Sequence, residues 1–297
     1  MKDFSSVLEM CKNKENKKIP VVICAEEKEV LKSIIKSLHE DIIKNPILIG
    51  DEVKIKNMLL EERESLDRYK IINILDKAEA SEKAINCILN ETGDFLIKGL
   101  VDTSIVLKAI LNEKETLSRG KDIFFSHVAL VKVDKMKKLI LISDAAMNIA
   151  PGVIEKIKIV ENAVIVAKAL EIENPKIALI AAKEKISPKM QATLDAAEVV
   201  NHYKNKHIII EGPLALDNAI SESAAEVKSI QGKIKGDADI LIMPNIEAGN
   251  ILYKALTYFS NSQIGGLLIG AKVPIVITSR ADNEESKFLS IALATLI

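Results

Sequence analysis

Lys272-Val-Pro-Ile-Val-Ile-Thr-Ser-Arg280 carries an apolar strand pattern that ends in a hydroxyl beside a guanidinium, and Ala281-Asp-Asn-Glu-Glu285 follows as an acidic helix start. A strand, a polar loop and a helix in that order form the repeating unit of an α/β protein. The same rhythm runs back through the chain. Ile19–Cys24 reads as a strand followed by a helix over 26–39, and Asn45–Gly50 as a strand followed by a helix over 52–60. Lys70–Leu75 and Asp94–Lys98 continue the series. Arg280 stands out because the chain has four arginines among 41 basic residues, so generic cationic positions have gone to Lys. A planar guanidinium grips phosphate or carboxylate bidentately, which an ammonium cannot copy.

The rhythm breaks near Ser126. Val128–Val133 and Lys138–Ser143, joined by a short Lys/Asp-rich turn, read as a β-hairpin and mark a second domain. Alternation then resumes: helix 151–170, strand 176–181, helix 188–199, strands 207–210 and 240–242, helix 248–259, strand 273–278 and helix 283–296.

Composition narrows the function. With 297 residues, 48% apolar and no Trp, the chain suits a buried parallel sheet flanked by helices. Basic and acidic residues, 41 against 42, nearly cancel, and no basic stripe points to nucleic acid or an anionic membrane. The start is too polar for a secretory signal, and no apolar run reaches the length of a membrane span. Cys11, Cys24 and Cys87 form neither a CxxC pair nor a disulfide framework, and the four histidines have no metal-ligand spacing. These features lead us to expect a cytoplasmic protein without a metal.

Four polar clusters fall at expected strand ends: Ser143–Asn148, Glu211–Asp217, Met243–Asn250 and Ser279-Arg280. Ligands of parallel sheets collect beyond the carboxyl ends of strands, so one shared cleft is expected. Asp, Asn, Gly and Pro there also turn chains and cap helices. Asp282-x-x-Glu285 fits a capping box, with general-base work as the other reading of Asp282. Gly265–Lys272 lacks the Gly-Lys-Ser/Thr ending of a phosphate loop and reads as a strand with close backbone approach.

Ser126-His127, Asp144-Ala-Ala-Met-Asn148, Glu211–Asp217, Pro244–Lys254 and Val273–Asp282, taken in order, resemble the phosphate acetyl/butyryl transferase family. The resemblance covers nearly the whole chain. It implies a two-domain, three-layer α/β/α architecture like that of isocitrate and isopropylmalate dehydrogenases, with the active site in the cleft. Residues 1–128 plus 267–297 would form one domain and 129–266 the other. The implied reaction is reversible transfer of a short acyl group between CoA and phosphate, by a homodimer or larger homo-oligomer. CoA, acyl-CoA, phosphate and acyl phosphate are its substrates, with no cofactor.

Within that resemblance Ser279, Arg280 and Asp282 are catalytic, Arg280 holding phosphate and Ser279 donating toward the oxyanion. Arg119, Ser126, His127, Asp144, Asn250 and Lys254 fall to substrate binding. The acetyl members' Asp-Leu-Asn-Thr-Gly-Asn is replaced here by Asn245-Ile-Glu-Ala-Gly-Asn250, which pulls toward the butyryl branch. The aspartate that acetyl members carry seven residues after the serine is Ser286 in this chain. Asp282, Glu285 or His127 would substitute as base, or orientation of CoA would carry the step. The rival readings are an acetyl-transferring enzyme, a dehydrogenase on the same fold, and a non-catalytic CoA-binding relative.

Overall fold

The computed structural model describes residues 1–120, 122–277 and 282–297. Along them run the strands β1 Pro20–Ile23, β2 Ile47–Gly50, β3 Lys70–Asn73, β4 Phe95–Lys98, β5 Ser126–Lys132, β6 Ile140–Ser143, β7 Lys176–Ile180, β8 Ile209–Leu214, β9 Ile240–Ile242, β10 Gln263–Ile269 and β11 Ile275–Val276. The chain divides into two units. A terminal unit comprises Phe4–Phe124 with Ile264–Ile297, and a middle unit Met1–Asp3 with Phe125–Gln263.

In the terminal unit the strand order is β3-β2-β1-β4-β11-β10. Every neighbouring pair is parallel except β10 with β11. β1, β2 and β4 are buried along their whole length, which is why their sequences are continuous apolar runs rather than alternating ones. The helix Glu284–Leu296 is buried from Lys287 to Leu296, and it packs on the helix Lys28–His39 and on Phe4–Asn13. A helix apolar all round has to lie inside the fold. Its closeness to β10 depends on Gly265, where a Cβ would come within 2.9 Å of the Leu289 backbone. The close backbone approach expected of this glycine-rich strand is therefore present, and Ser290 Oγ accepts from Gly266 N at 2.9 Å.

In the middle unit the order is β5-β6-β9-β7-β8. The hairpin pair β5–β6 is antiparallel, and the remaining pairs are parallel. The expected hairpin is present, with β5 beginning earlier, at Ser126.

Several boundaries differ from the sequence reading. The strand expected at 207–210 runs on to Leu214, so Glu211, Gly212 and Pro213 lie inside β8 instead of in a loop beyond it. β11 is limited to Ile275–Val276. The helix expected from Pro151 starts at Val153, and Gly152 is its cap, with Glu155 Oε2 accepting from the Gly152 N–H at 2.9 Å. The final helix is capped by Asn283, whose Oδ1 accepts from Ser286 N at 2.9 Å. The expected Asp282-x-x-Glu285 box does not form, because Glu285 is taken by Lys36 of the neighbouring helix.

Candidate active site

The middle unit gathers two of the sequence clusters, Ser143–Asn148 and Met243–Asn250, together with Ser126-His127. β6 ends at Ser143, which is fully buried and donates from Oγ to the His127 carbonyl of β5 at 2.8 Å. Asp144 follows, 2% exposed. Its Oδ1 accepts from Ala146 N at 2.8 Å and Met147 N at 3.1 Å. Its Oδ2 accepts from Asn148 N at 3.2 Å and from Asn148 Nδ2 at 2.6 Å. Asn148 Nδ2 also reaches the Phe125 carbonyl at 2.9 Å and so ties the loop to the chain entering β5. One carboxylate thus organises the whole turn Ala145–Asn148, as short acidic side chains do when they bond to the backbone just ahead.

Against this turn lies the N-terminal part of the helix Ile246–Phe259. Asn245 caps it by accepting from Ala248 N at 3.0 Å, one of the four donors that every helix start leaves open. Gly249 is buried, and a Cβ there would lie 2.2 Å from the Asp144 carbonyl oxygen and 3.0 Å from Ala145 Cα. Asn250 Nδ2 donates to the Ala145 carbonyl at 3.1 Å. One turn further on, the Tyr253 ring meets the His127 ring edge-on at 5.7 Å and 80°. Lys254 Nζ stands 5.3 Å from the centroid of the Tyr253 ring. His127, Asp144, Asn250 and Lys254, far apart in sequence, therefore form one neighbourhood. Ser126 belongs to its foundation: it has no exposed surface, and its Oγ accepts from Asn162 Nδ2 at 3.0 Å.

In the terminal unit Arg119 is held by the chain leading into β11. Its Nε donates to the Ala271 carbonyl at 2.6 Å and its Nη2 to the Lys272 carbonyl at 3.1 Å. Burial lowers its pKa from the ordinary arginine value, and an arginine keeps its charge under all ordinary conditions. Ser118 pairs with Ala271 in the same place. Asp282 is 8% exposed, and its carbonyl accepts from Lys287 Nζ at 3.0 Å. Lys287, 2% exposed, also faces Glu27 Oε1 at 3.6 Å. Ser279 and Arg280, the catalytic pair expected from the sequence, lie outside the described residues.

Sequence reasoning quoted Asn148 and Gly249 within its motifs without assigning the work they do. The Asp-x-x-x-Asn spacing of an acidic turn was the available signal for Asn148. For Gly249 it was a glycine in an otherwise good helix former, which costs stability unless something approaches closely. Among the described residues no group of three or more His, Cys, Asp or Glu could hold a metal ion. Among them too, no helix is long and apolar enough to cross a membrane. Two hollows of the middle unit, of about 390 Å³ beside Tyr203 and about 580 Å³ beside Lys135 and Gly236, are lined by neither Asp144 nor Asn250.

These clusters are those of one family, described as Phosphate acetyl/butaryl transferase, whose profile matches residues 77–295. The chain belongs to that family. It is 41% identical to the phosphate butyryltransferase of Clostridium acetobutylicum over 300 residues, which cover 100% of this chain and 98% of that protein. It superposes with a TM-score of 0.84 on a branched-chain phosphotransacylase from Enterococcus faecalis V583, at 37% identity and covering 94% and 98% of the two chains. A putative 4-hydroxythreonine-4-phosphate dehydrogenase from Salmonella typhimurium, 12% identical, matches with a TM-score of 0.59 over 95% of this chain and 99% of that one. That last likeness concerns the fold alone, and it agrees with the dehydrogenase-like architecture expected from the sequence.

Proposed function

We propose that this protein is a phosphate butyryltransferase, converting butanoyl-CoA and phosphate to butanoyl phosphate and CoA in a reversible reaction. The observation that carries the reading is end-to-end identity of 41% with a phosphate butyryltransferase. The order of Asp144–Asn148, Asn245–Asn250 and Ser279-Arg280 along the chain, which carries the resemblance, supports it.

In the forward direction a phosphate oxygen attacks the thioester carbonyl, charge develops on the carbonyl oxygen, and the C–S bond breaks to release CoA. Arg280 holds the phosphate through its planar fork, and Ser279 donates a hydrogen bond to the developing oxyanion. Asp282 serves as the base in the reverse direction. Free CoA, with a thiol pKa near 8.5, must lose its proton there before sulfur attacks the acyl phosphate. The loop built on Asp144, together with His127, Asn250 and Lys254, borders the substrate, and Arg119 adds a second cation for phosphate.

Three buried free cysteines suit a reducing cytoplasm. The working form is a homodimer or a larger homo-oligomer. We read residues 1–128 plus 267–297 as one domain and 129–266 as the other.

Phosphate-dependent CoA release from acetyl-, propionyl- and butyryl-CoA, followed with a thiol reagent, tests the proposal. We expect a preference for butyryl-CoA and a rate that collapses in Arg280→Ala. In Ser279→Ala, loss of the oxyanion donor reduces turnover about 10²–10³-fold. A preference for acetyl-CoA would move the assignment to a phosphate acetyltransferase with the same mechanism. Binding of CoA with no release from any acyl-CoA would make the protein a non-catalytic relative.

A further inference from the structure

Lys287 stands where neither packing nor helix chemistry calls for a lysine. It is 2% exposed, in the first turns of the final helix, just beyond the cap Asn283. A helix start carries the positive end of the backbone dipole and favours carboxylates, such as Glu284 and Glu285 here, over an ammonium. Lysines are almost never fully buried unless paired. An apolar side chain of similar length would fill the same space without stripping water from a charge. A residue that breaks two rules at once belongs to a functional position more often than to a packing one.

The contacts of the ammonium name that position. Its Nζ donates to the Asp282 carbonyl at 3.0 Å and faces Glu27 Oε1 at 3.6 Å. Glu27 lies in the loop after β1 and holds the cap position of the helix Lys28–His39, yet its carboxylate makes no capping hydrogen bond. It faces Lys287 instead, with its side chain 19% exposed, so salt and water screen the pair little. A line of contacts thus runs from the loop after β1, through Glu27 and Lys287, to the main chain of Asp282. A second brace, Lys36 to Glu285, joins the same helix to the same segment. Its side chains are 34% and 42% exposed, and ion pairs in that setting contribute little.

We propose that Lys287, itself held by Glu27, is a positioning residue for Asp282. This rests on the reading of Asp282 as the base. In the reverse reaction the Asp282 carboxylate accepts the CoA thiol proton and sulfur bonds to the acyl carbon. The bond from that carbon to the phosphate oxygen then breaks, and phosphate leaves. The carboxylate has to stand within hydrogen-bond reach of the thiol. Lys287 fixes the backbone from which that carboxylate projects. A misplacement of about 1 Å at such a point costs about a hundredfold in rate.

Turnover of CoA with butanoyl phosphate by the full chain tests the proposal, in Lys287→Met, Asp282→Asn, the double variant and, as a control, Lys36→Met. We expect Lys287→Met to lower kcat about ten- to a hundredfold and to leave KM for both substrates unchanged. In the Asp282→Asn background the same change should cost nothing more, because a base already removed cannot be misplaced. Lys36→Met should keep the wild-type kcat. Glu27→Gln, at the more exposed end of the pair, should show a smaller loss of kcat. It also covers the case in which Lys287→Met does not fold, and wild-type kcat there would overturn the proposal.

A loss in Lys287→Met that multiplies with that of Asp282→Asn, or that Lys36→Met matches, would make Lys287 a stabiliser of the fold. The positioning role would then fall while the transferase and its base stand. If Asp282→Asn alone keeps the wild-type rate, the base assignment falls and the positioning role with it.

Discussion

The carbonyl oxygen of Asp144 lies 2.2 Å from the point where a Cβ would stand on Gly249. The loop after β6 and the helix Ile246–Phe259 meet so closely that only a hydrogen fits between them. The two motifs are about a hundred residues apart in sequence, and this contact makes them one site.

Gly249→Ala reverses an ordinary sign. In an exposed helix interior, replacing Gly by Ala stabilises by about 1 kcal/mol. Here the methyl group meets backbone, and we expect a loss of about 1–3 kcal/mol from overpacking, together with impaired turnover as Asp144 and Asn250 are pushed apart. Urea unfolding of the variant beside wild type reads the sign directly. A gain in stability would mean that the helix is free to move away from the loop.

Asp144 acts on the protein before it acts on substrate. Its carboxylate accepts from three backbone N–H groups and the Asn148 amide. Hydrogen bonds to a charged group contribute roughly 1.5–3 kcal/mol each and leave costly donors when removed. Asp144→Ala should therefore lower stability by about 2–3 kcal/mol as well as activity, and Asn148→Ala should reproduce part of both effects. Thermal unfolding and turnover should fall together. Lost turnover with an unchanged melting temperature would show instead that the carboxylate works on the substrate.

Cys24 is a packing residue whose chemistry has been suppressed. Burial first, and the nearby Glu26 carboxylate second, push its thiol up to about 11. At neutral pH roughly one molecule in ten thousand carries the thiolate, the form that reacts. We expect Cys24→Ala to retain activity, and the native protein to react with thiol reagents far more slowly than the unfolded chain. The same shift sets a pH dependence. The folded pKa is raised above the unfolded value, so this contribution to stability is complete below about pH 8.5 and is lost as pH rises from there through about 11. Tyr203, raised to about 12 chiefly by burial, adds a similar decline at higher pH. The difference between wild type and Cys24→Ala isolates the cysteine. Parallel curves for the two proteins would contradict the assignment.

The elements that the sequence reading missed share a cause. Glu211-Gly-Pro-Leu214 reads locally as a turn, because Gly and Pro interrupt strands. It is nevertheless strand, for β8 ends the sheet order of its unit and among the described residues pairs with β7 alone, where a proline's missing donor is tolerated. The register shift between Ala178 and Ile180 absorbs the irregularity. Asp282 and Asn283 are equally good caps by local chemistry. The choice fell to Asn283 because Lys36 holds Glu285 and Lys287 holds the Asp282 carbonyl, and both lysine contacts arise from packing.

Residue pattern alone determined the α/β class, the hairpin that opens the middle unit, the close backbone approach at Gly265 and the ordered motifs that identify the family. Each of these rests on spacing within a short segment: apolar runs, turn residues and periodicity that local sterics and burial translate directly into structure. Tertiary structure alone decided that Asp144 spends its carboxylate on its own loop, that Gly249 is the point of contact with it, and that Arg119 bonds the carbonyls leading into β11. The last two depend on which groups distant segments bring into contact, which is set by how the helices and sheet pack within each unit, while the first rests on the burial that holds the loop closed over its own carboxylate.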